Sequence, residues 1–270
     1  MNCAHCESKN TRLCNQKTAL GYEQYYCREC CRQFNERTGT PFNYLEYPTE
    51  VVIMTVIYYY QFKTSLDDVV KLMQMRAVTL CHQTVLNWAT TIGIALALEF
   101  RSRRGGKAGK KWNADATYIK VGGQQYYLYR AIDKEGNLVD VYLSDTRDDV
   151  AAKAFFQQCF DTTCVLPDQI TVDGERALHN GINTVFEGAV DMRNSKYKYM
   201  NNLLEQDHRG IKSWYRNMKG FKNPFSALIR CTVFEEIRQH FKMKGKTRAE
   251  RRGLLASKFQ QFNQIAQAIV

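Results

Sequence analysis

Two pairs of cysteines restrict what the start of this chain can fold into more than any other feature of it. Cys3-x2-Cys6 and Cys27-x2-Cys30 stand 20 residues apart. Each C-x-x-C turn aims two thiolates at one point, and two such knuckles complete the tetrahedral sulfur cage that Zn²⁺ prefers. Residues 22–27 read as a short strand entering the second knuckle, and Gln33-Phe34 continues after it, so residues 1–40 are expected to form a zinc ribbon. A segment of this length buries too little apolar surface to fold alone, and a structural metal contributes about 10–16 kcal/mol in comparable peptides. Cys31 is an alternative ligand to Cys30, His5 a weaker substitute, and Cys14 is spare; a cluster of free or redox thiols is the competing reading. Cys81, Cys159, Cys164 and Cys231 read as small buried apolar residues.

Ten cysteines in a secreted chain would suggest disulfides, but no apolar run follows a charged start, and no stretch of eighteen apolar residues exists. Neither a signal peptide nor a membrane span is expected, and the expected location is the cytoplasm. Lys and Arg number 38 against 27 acids, a formal charge of +11. A polyanionic partner follows, and nucleic acid is favoured over a membrane because the charge is spread through many segments.

Beyond the ribbon the pattern turns helical. Residues 51–60 are apolar nearly all round, as in a buried scaffold helix; Ser65 offers an N-cap for a helix through Met73, and another helix begins near Gln83. With residues 76–80 as a short turn, residues 41–100 fit an all-α helix-turn-helix domain, and Gln83, Thr84 and Asn87 open its candidate recognition helix. Residues 101–111 carry six cations in eleven positions among glycines. A solvated linker is the plain reading, and a hinge whose Arg103 and Arg104 track phosphates is the functional one.

From Trp112 to residue 245 the texture is α/β. Three strand-like runs separated by Gly122-Gly123 and by residues 133–137 form an antiparallel meander. A helix over 148–160, a strand over 169–172, a helix over 175–186, a short strand over 190–192 and a late helix follow. That order predicts a ribonuclease-H-like α/β fold, making the chain multidomain. Asp115 stands mid-strand between two alanines, where an unpaired buried carboxylate costs several kcal/mol unless it faces a cleft and a cation. Asp173 lies just past the carboxyl end of the fourth strand, where α/β sheets present ligands, with Gly174 behind it. Glu205 shares a helical stripe with His208, Arg209 and Lys212. Taken singly, these read as an edge-strand acid, a helix cap and a surface salt-bridge ladder; together they suit two hard cations such as Mg²⁺.

Residues 115–121 (Asp-Ala-Thr-Tyr-Ile-Lys-Val), 127–133 (Tyr-Leu-Tyr-Arg-Ala-Ile-Asp) and above all 199–212 (Tyr-Met-Asn-Asn-Leu-Leu-Glu-Gln-Asp-His-Arg-Gly-Ile-Lys) resemble motifs of the DDE transposases of the IS6 (IS240-like) insertion-sequence family. The resemblance covers roughly residues 49–240, and some relatives also carry an N-terminal zinc ribbon. Two departures stand out: the Asp173-to-Glu205 interval is slightly short, and Gly-Glu-Arg-Ala-Leu follows Asp173 where the family often has a lysine. The resemblance implies a catalytic domain of retroviral-integrase type with Asp115, Asp173 and Glu205 as catalytic triad on two Mg²⁺ ions, Mn²⁺ being an alternative. It also implies cleavage of transposon ends to 3′-OH and their joining to target DNA. Lys212 and Arg209 are then backbone contacts, and His208 a proton carrier, a phosphate contact or a group behind a metal ligand. The ribbon and helix-turn-helix would read the terminal inverted repeats. A catalytically silent DNA-binding regulator and a structure-selective nuclease are the rival readings. Residues 246–270, basic and then amphipathic, either pack on the catalytic domain or form the contact of a homodimer or higher oligomer.

Overall fold

The computed structural model describes residues 1–194, 202–218, 220–243 and 247–269, and the side chains of residues 194, 202–207, 267 and 268 lie outside that description. At the amino end, β1 (Thr11–Lys17), β2 (Glu23–Cys27) and β3 (Gln33–Phe34) form an antiparallel sheet in the order β1-β2-β3. β1 is an addition to the expected ribbon: none of its side chains is buried, so it lacks the alternation that marks a strand. The sheet's own core is Cys3, Cys27 and Phe34, with Tyr25 stacked on Phe34 at 5.6 Å. The ribbon is docked through Tyr22. Its hydroxyl accepts the Thr49 N–H at 3.1 Å, capping a helix whose N-cap residue, Pro48, makes no side-chain cap bond. Arg37 covers the Tyr22 ring and donates to the Tyr47 carbonyl.

Three helices follow: α1 (Thr49–Gln61), α2 (Leu66–Gln74) and α3 (His82–Ser102). Ser65 and Asp68 close a reciprocal capping box at the start of α2. Seven residues, 75–81, separate α2 from α3, against the three or four usual in a helix-turn-helix. The helices are also not a separate unit. Val52, Val56, Tyr60, Trp88, Ile92 and Leu96 share one core with Ile119, Val121 and Leu128 of the large sheet and with Trp214, Phe234 and Ile237. The division expected at residue 100 therefore runs through a single core, because a helix apolar nearly all round must be covered on every side. The expected basic linker is likewise pinned. Arg101 donates to both carboxylate oxygens of Asp140 and to Thr162, while Arg104 donates to the carbonyls of Leu138 and Val139 and to Glu236 at 2.6 Å.

The large sheet holds β4 (Lys111–Val121), β5 (Gln124–Asp133), β6 (Leu138–Ser144), β7 (Gln169–Val172) and β8 (Asp191–Asn194), in the order β6-β5-β4-β7-β8. β4 to β6 are the antiparallel meander; β7 runs parallel to β4, and β8 parallel to β7. Numbered within the domain the order is 3-2-1-4-5, the ribonuclease-H-like arrangement. The helices α4 (Asp149–Thr163) and α5 (Arg176–Phe186) cover one face, packing Phe155 and Phe156 of α4 in one core with Trp112, Ala114 and Tyr129 of the sheet. Gly181 allows α4 to come close, since a Cβ there would stand 2.8 Å from Ala152.

The other face carries α6 (Asn202–Asn217), α7 (Pro224–His240) and α8 (Arg248–Ala268) together with the early helices. α8 folds back on the chain, with Phe262 buried against Phe241 and Phe100. Of the apolar stripe offered as an oligomer contact, Phe262 is thus buried internally, while Leu255, Phe259 and Ile269 are half-buried. Of the four later cysteines expected inside, Cys159 and Cys231 are buried; Cys81 and Cys164 are exposed because each sits at a helix end. No helix among the described residues is long and apolar enough to cross a membrane.

Candidate active site and metal centres

Along β4, Trp112 and Ala114 turn toward α4 and α5, whereas Ile119 and Val121 turn toward the other helices. Asp115 shares the second face by the period-2 alternation of a strand. The parallel pairing of β4 with β7 ends at Asn113↔Thr171; Asp115 lies two residues further along β4, and Asp173 two residues beyond Thr171, just past the end of β7. A register thus brings together two acids separated by 57 residues of sequence. They act on each other. Burial and the Asp173 charge push the Asp115 carboxyl up to about 6, against the opposing pull of the Ala116 N–H and Arg147.

Two further charged groups belong to this cluster, and sequence reasoning missed both. Glu175 lies two residues past Asp173, and its Oε1 accepts a 2.6 Å bond from Arg147 Nε. Arg147 Nη2 reaches to 3.7 Å from Asp173 Oδ2. Glu175 looks like an ordinary first-turn helix acid and Arg147 like a loop cation in the sequence; only the fold of the β6–α4 connection over the β7 end joins them. Asp173 Oδ1 and Glu175 Oε2 are buried without a hydrogen-bond partner. Orphaned buried carboxylate oxygens beside a carboxyl raised by its neighbours are acceptors of the kind a hard divalent cation takes, although among the described residues these acids do not by themselves close a three-ligand set.

α6 turns its polar stripe to this face. His208 is 6% exposed and places Nδ1 3.9 Å from Asp115 Oδ2. That burial corrects the expectation of a direct phosphate contact for His208. One turn later Lys212 Nζ lies over the Tyr118 ring, 5.6 Å from its centroid, and Arg209 is exposed. The helix is anchored by Trp214, fully buried between Tyr59 and Tyr60 of α1 and stacked on Phe234 of α7 at 4.6 Å. Glu205 lies on α6 with its side chain outside the described residues.

Beneath the cluster, Arg130 of β5, paired in register with Asp115, is fully buried and donates to Glu235 of α7 at 2.7 Å. This ion pair fastens α7 to the sheet, and nothing in the pattern of α7 announces it. Arg104 corrects a second expectation: its guanidinium is spent on Glu236 and two carbonyls, so it does not track phosphates. Arg103 is exposed, in an i,i+4 pair with Glu99. On α3, Gln83 and Asn87 are exposed and bonded to each other at 2.7 Å, and Thr84 is half-buried against Cys81.

In the ribbon, the sulfurs of Cys3, Cys6, Cys27 and Cys30 all lie within 4.8 Å of one another. Cys3 to Cys30 and Cys6 to Cys27 are both 3.6 Å, close to the ~3.8 Å edge of a tetrahedron with 2.3 Å metal–sulfur bonds. The backbone N–H of Cys30 draws the Cys27 thiol down to about 7. Cys31, in a left-handed conformation, stays outside the cage, as does His5, whose ring nitrogen faces the Gln33 carbonyl.

The DDE-domain model of the IS240 transposase family matches residues 109–244. The Staphylococcus aureus transposase for insertion sequence-like element IS431mec is 31% identical over 193 residues, covering 69% of this chain and 85% of that one. The transposase for insertion sequence element IS257 in transposon Tn4003, also from Staphylococcus aureus, matches to the same extent. The magnesium-bound HTLV-2 integrase catalytic core, in its dimeric form, superposes with a TM-score of 0.40 at 18% identity over 54% of this chain and 97% of that one; the sheet order remains the firmer statement of the fold. A DDE-domain match over half the chain, and relatives aligned over most of their own length, make this chain a member of the IS6 (IS240-like) family of DDE transposases.

Proposed function

We propose that this transposase cuts the ends of its element to expose 3′-OH groups and joins them to target DNA at the cluster of Asp115, Asp173 and Glu205. The observation that carries the proposal is the nearness of Asp173 to the largely buried Asp115 carboxyl, whose proton affinity the Asp173 charge raises, reinforced by the buried, unpartnered Asp173 Oδ1. These three residues would hold two Mg²⁺ ions, or Mn²⁺, which supply positive charge for the phosphoryl oxygens and activation of the attacking hydroxyl. The rest falls to the chain itself. His208 stands beside Asp115, with Nδ1 3.9 Å from Oδ2, while the Ala116 N–H donates to Asp115 Oδ1 at 2.7 Å. Lys212, one turn after His208 on the same side of α6, and Arg209, about 100° round from His208, would hold the DNA backbone beside the acids and so align the phosphate for in-line displacement. Glu205 lies on the same helix, three residues before His208.

Cys3, Cys6, Cys27 and Cys30 would bind a structural Zn²⁺. The ribbon, with Gln83, Thr84, Asn87 and the exposed Arg103, would contact the terminal repeats as duplex DNA. Two ends must meet for joining, so two copies of the chain would act together. Because α3 belongs to the core of the sheet, end recognition is better tested by removing residues 1–40 than by removing all the early helices.

One experiment addresses both halves. Asp173→Ala should bind end DNA as the parent does in a gel shift, yet yield neither cleaved nor joined product with Mg²⁺ or Mn²⁺. The 41–270 fragment should lose preference for the terminal repeat. Joined product from Asp173→Ala would refute the acid assignment, and full end selectivity in the fragment would refute the division of labour.

A further inference from the structure

Three carboxylates crowd the end of β7, and one guanidinium answers them. Arg147 stands in the four-residue link, 145–148, between β6 and α4, and its root is fixed on both sides. Asp148, the next residue, caps α4 by accepting the Ala151 N–H at 2.9 Å, and on the other side the Thr146 N–H donates to Ser144 Oγ. From this root the guanidinium binds unequally. It makes a 2.6 Å bond to Glu175 and stays at 3.7 Å from Asp173. An arginine built to pair with Asp173 would grip it bidentately at hydrogen-bond length. This one is tied to Glu175, a carboxylate outside the two-aspartate, one-glutamate set, and only leans on Asp173. Asp173 Oδ1 and Glu175 Oε2 meanwhile remain buried without hydrogen-bond partners. Positive charge is thus delivered to the cluster while Asp173 keeps one oxygen uncommitted.

We propose that Arg147 is the resident counter-ion of the acid cluster: moored on Glu175, it keeps Asp115 and Asp173 side by side before a divalent ion arrives, and it competes with that ion for Asp173. The inference rests on the metal-site reading above and adds a positioning pair, Arg147 and Glu175, to it. It separates two duties that a single ion pair would merge. Glu175 holds the guanidinium in place, and Asp173 is left to exchange one positive partner for another.

The test uses the full chain with zinc bound and no DNA, and reads Mn²⁺ binding by titration calorimetry together with the melting midpoint in metal-free buffer. Arg147→Gln should bind Mn²⁺ more tightly, by about two- to fivefold, the scale of a partly exposed ion pair. Its metal-free midpoint should fall and recover when Mn²⁺ is added. Arg147→Lys, which keeps the charge, should return the affinity toward that of the parent. Glu175→Gln frees the guanidinium to turn fully to Asp173 and should weaken Mn²⁺ binding. The double variant should match Arg147→Gln, because the effect of Glu175 passes through Arg147. Unchanged or weaker binding in Arg147→Gln overturns the proposal, as does a Glu175→Gln effect that persists in the Arg147→Gln background. Asp173→Asn distinguishes the two levels. If it weakens Mn²⁺ binding while Arg147→Gln does nothing, only the counter-ion falls; if Asp173→Asn leaves Mn²⁺ binding intact, the metal site itself is misplaced.

Discussion

The ribbon and the large sheet are both built around β-strands, yet they hold together by different means. The sheet buries Trp112, Tyr129 and Ile170 against Phe155 and Phe156 of α4, so water exclusion supports it. The ribbon buries Cys3, Cys27 and Phe34, and two of those three are thiols of the sulfur cage. One region is a packed core; the other is a four-cysteine cluster with strands attached, which we propose acts as a zinc chelate. Stability in the first is spread over many side chains and falls in steps, whereas in the second it is concentrated in four sulfurs and is lost at once.

The largest effect should come from breaking the chelate. Cys27→Ser, or a strong chelator, should remove on the order of 10 kcal/mol from the ribbon. Proteolysis followed by mass spectrometry should then cut within residues 1–40 while residues 112–240 stay protected; equal exposure of both regions would mean that they fold as one unit. Next in size is a cavity in the packed core: Phe155→Ala should cost about 3–5 kcal/mol in chemical denaturation with the ribbon still binding zinc.

The smallest effect lies where the sheet borrows the ribbon's strategy. Asp115 titrates near 6 in the folded chain against 3.8 ordinarily, raised by burial and by Asp173. A carboxyl raised on folding contributes stability that is complete below about pH 4 and lost as pH climbs through about 6, a change of roughly 2–3 kcal/mol. Without divalent metal, the stability of the parent relative to Asp115→Asn should therefore decline between pH 4 and 7, and Mg²⁺ should restore part of it. A difference independent of pH would place the Asp115 carboxyl in water.

What the sequence disclosed follows the same contrast. The cage was readable because ligand spacing is local: Cys3 to Cys6 and Cys27 to Cys30 fix their own turns. The meander was readable from Gly122-Gly123 and the 133–137 turn, and Asp115 and Asp173 from their places in and after strands. β1 was not, because none of its side chains is buried. Arg147 and Glu175 stayed hidden because their bond joins separate elements, as did Arg130 with Glu235, 105 residues apart. The helical segment was misjudged as a separate domain because periodicity tells that α1 and α3 have apolar faces but not whose side chains cover them. The basic run at 101–111 misled for a related reason: a string of cations looks solvated until Asp140 and Glu236 are found beneath it.

The pinning of Arg101 and Arg104 has a mechanical consequence. α3 is 21 residues long, about 30 Å, with Gln83 and Asn87 at one end and its clamp on Asp140 near the other. Over such a lever a tilt of about 2° at the clamp moves the far end by about 1 Å, a displacement large enough to cost a reaction that depends on alignment a hundredfold. On the proposed reading of Gln83 and Asn87 as DNA contacts, a substitution at Asp140 would therefore act as a loosened bearing at one end of a helix otherwise held by Trp88, Ile92 and Leu96: DNA would still be gripped, but presented at an altered angle.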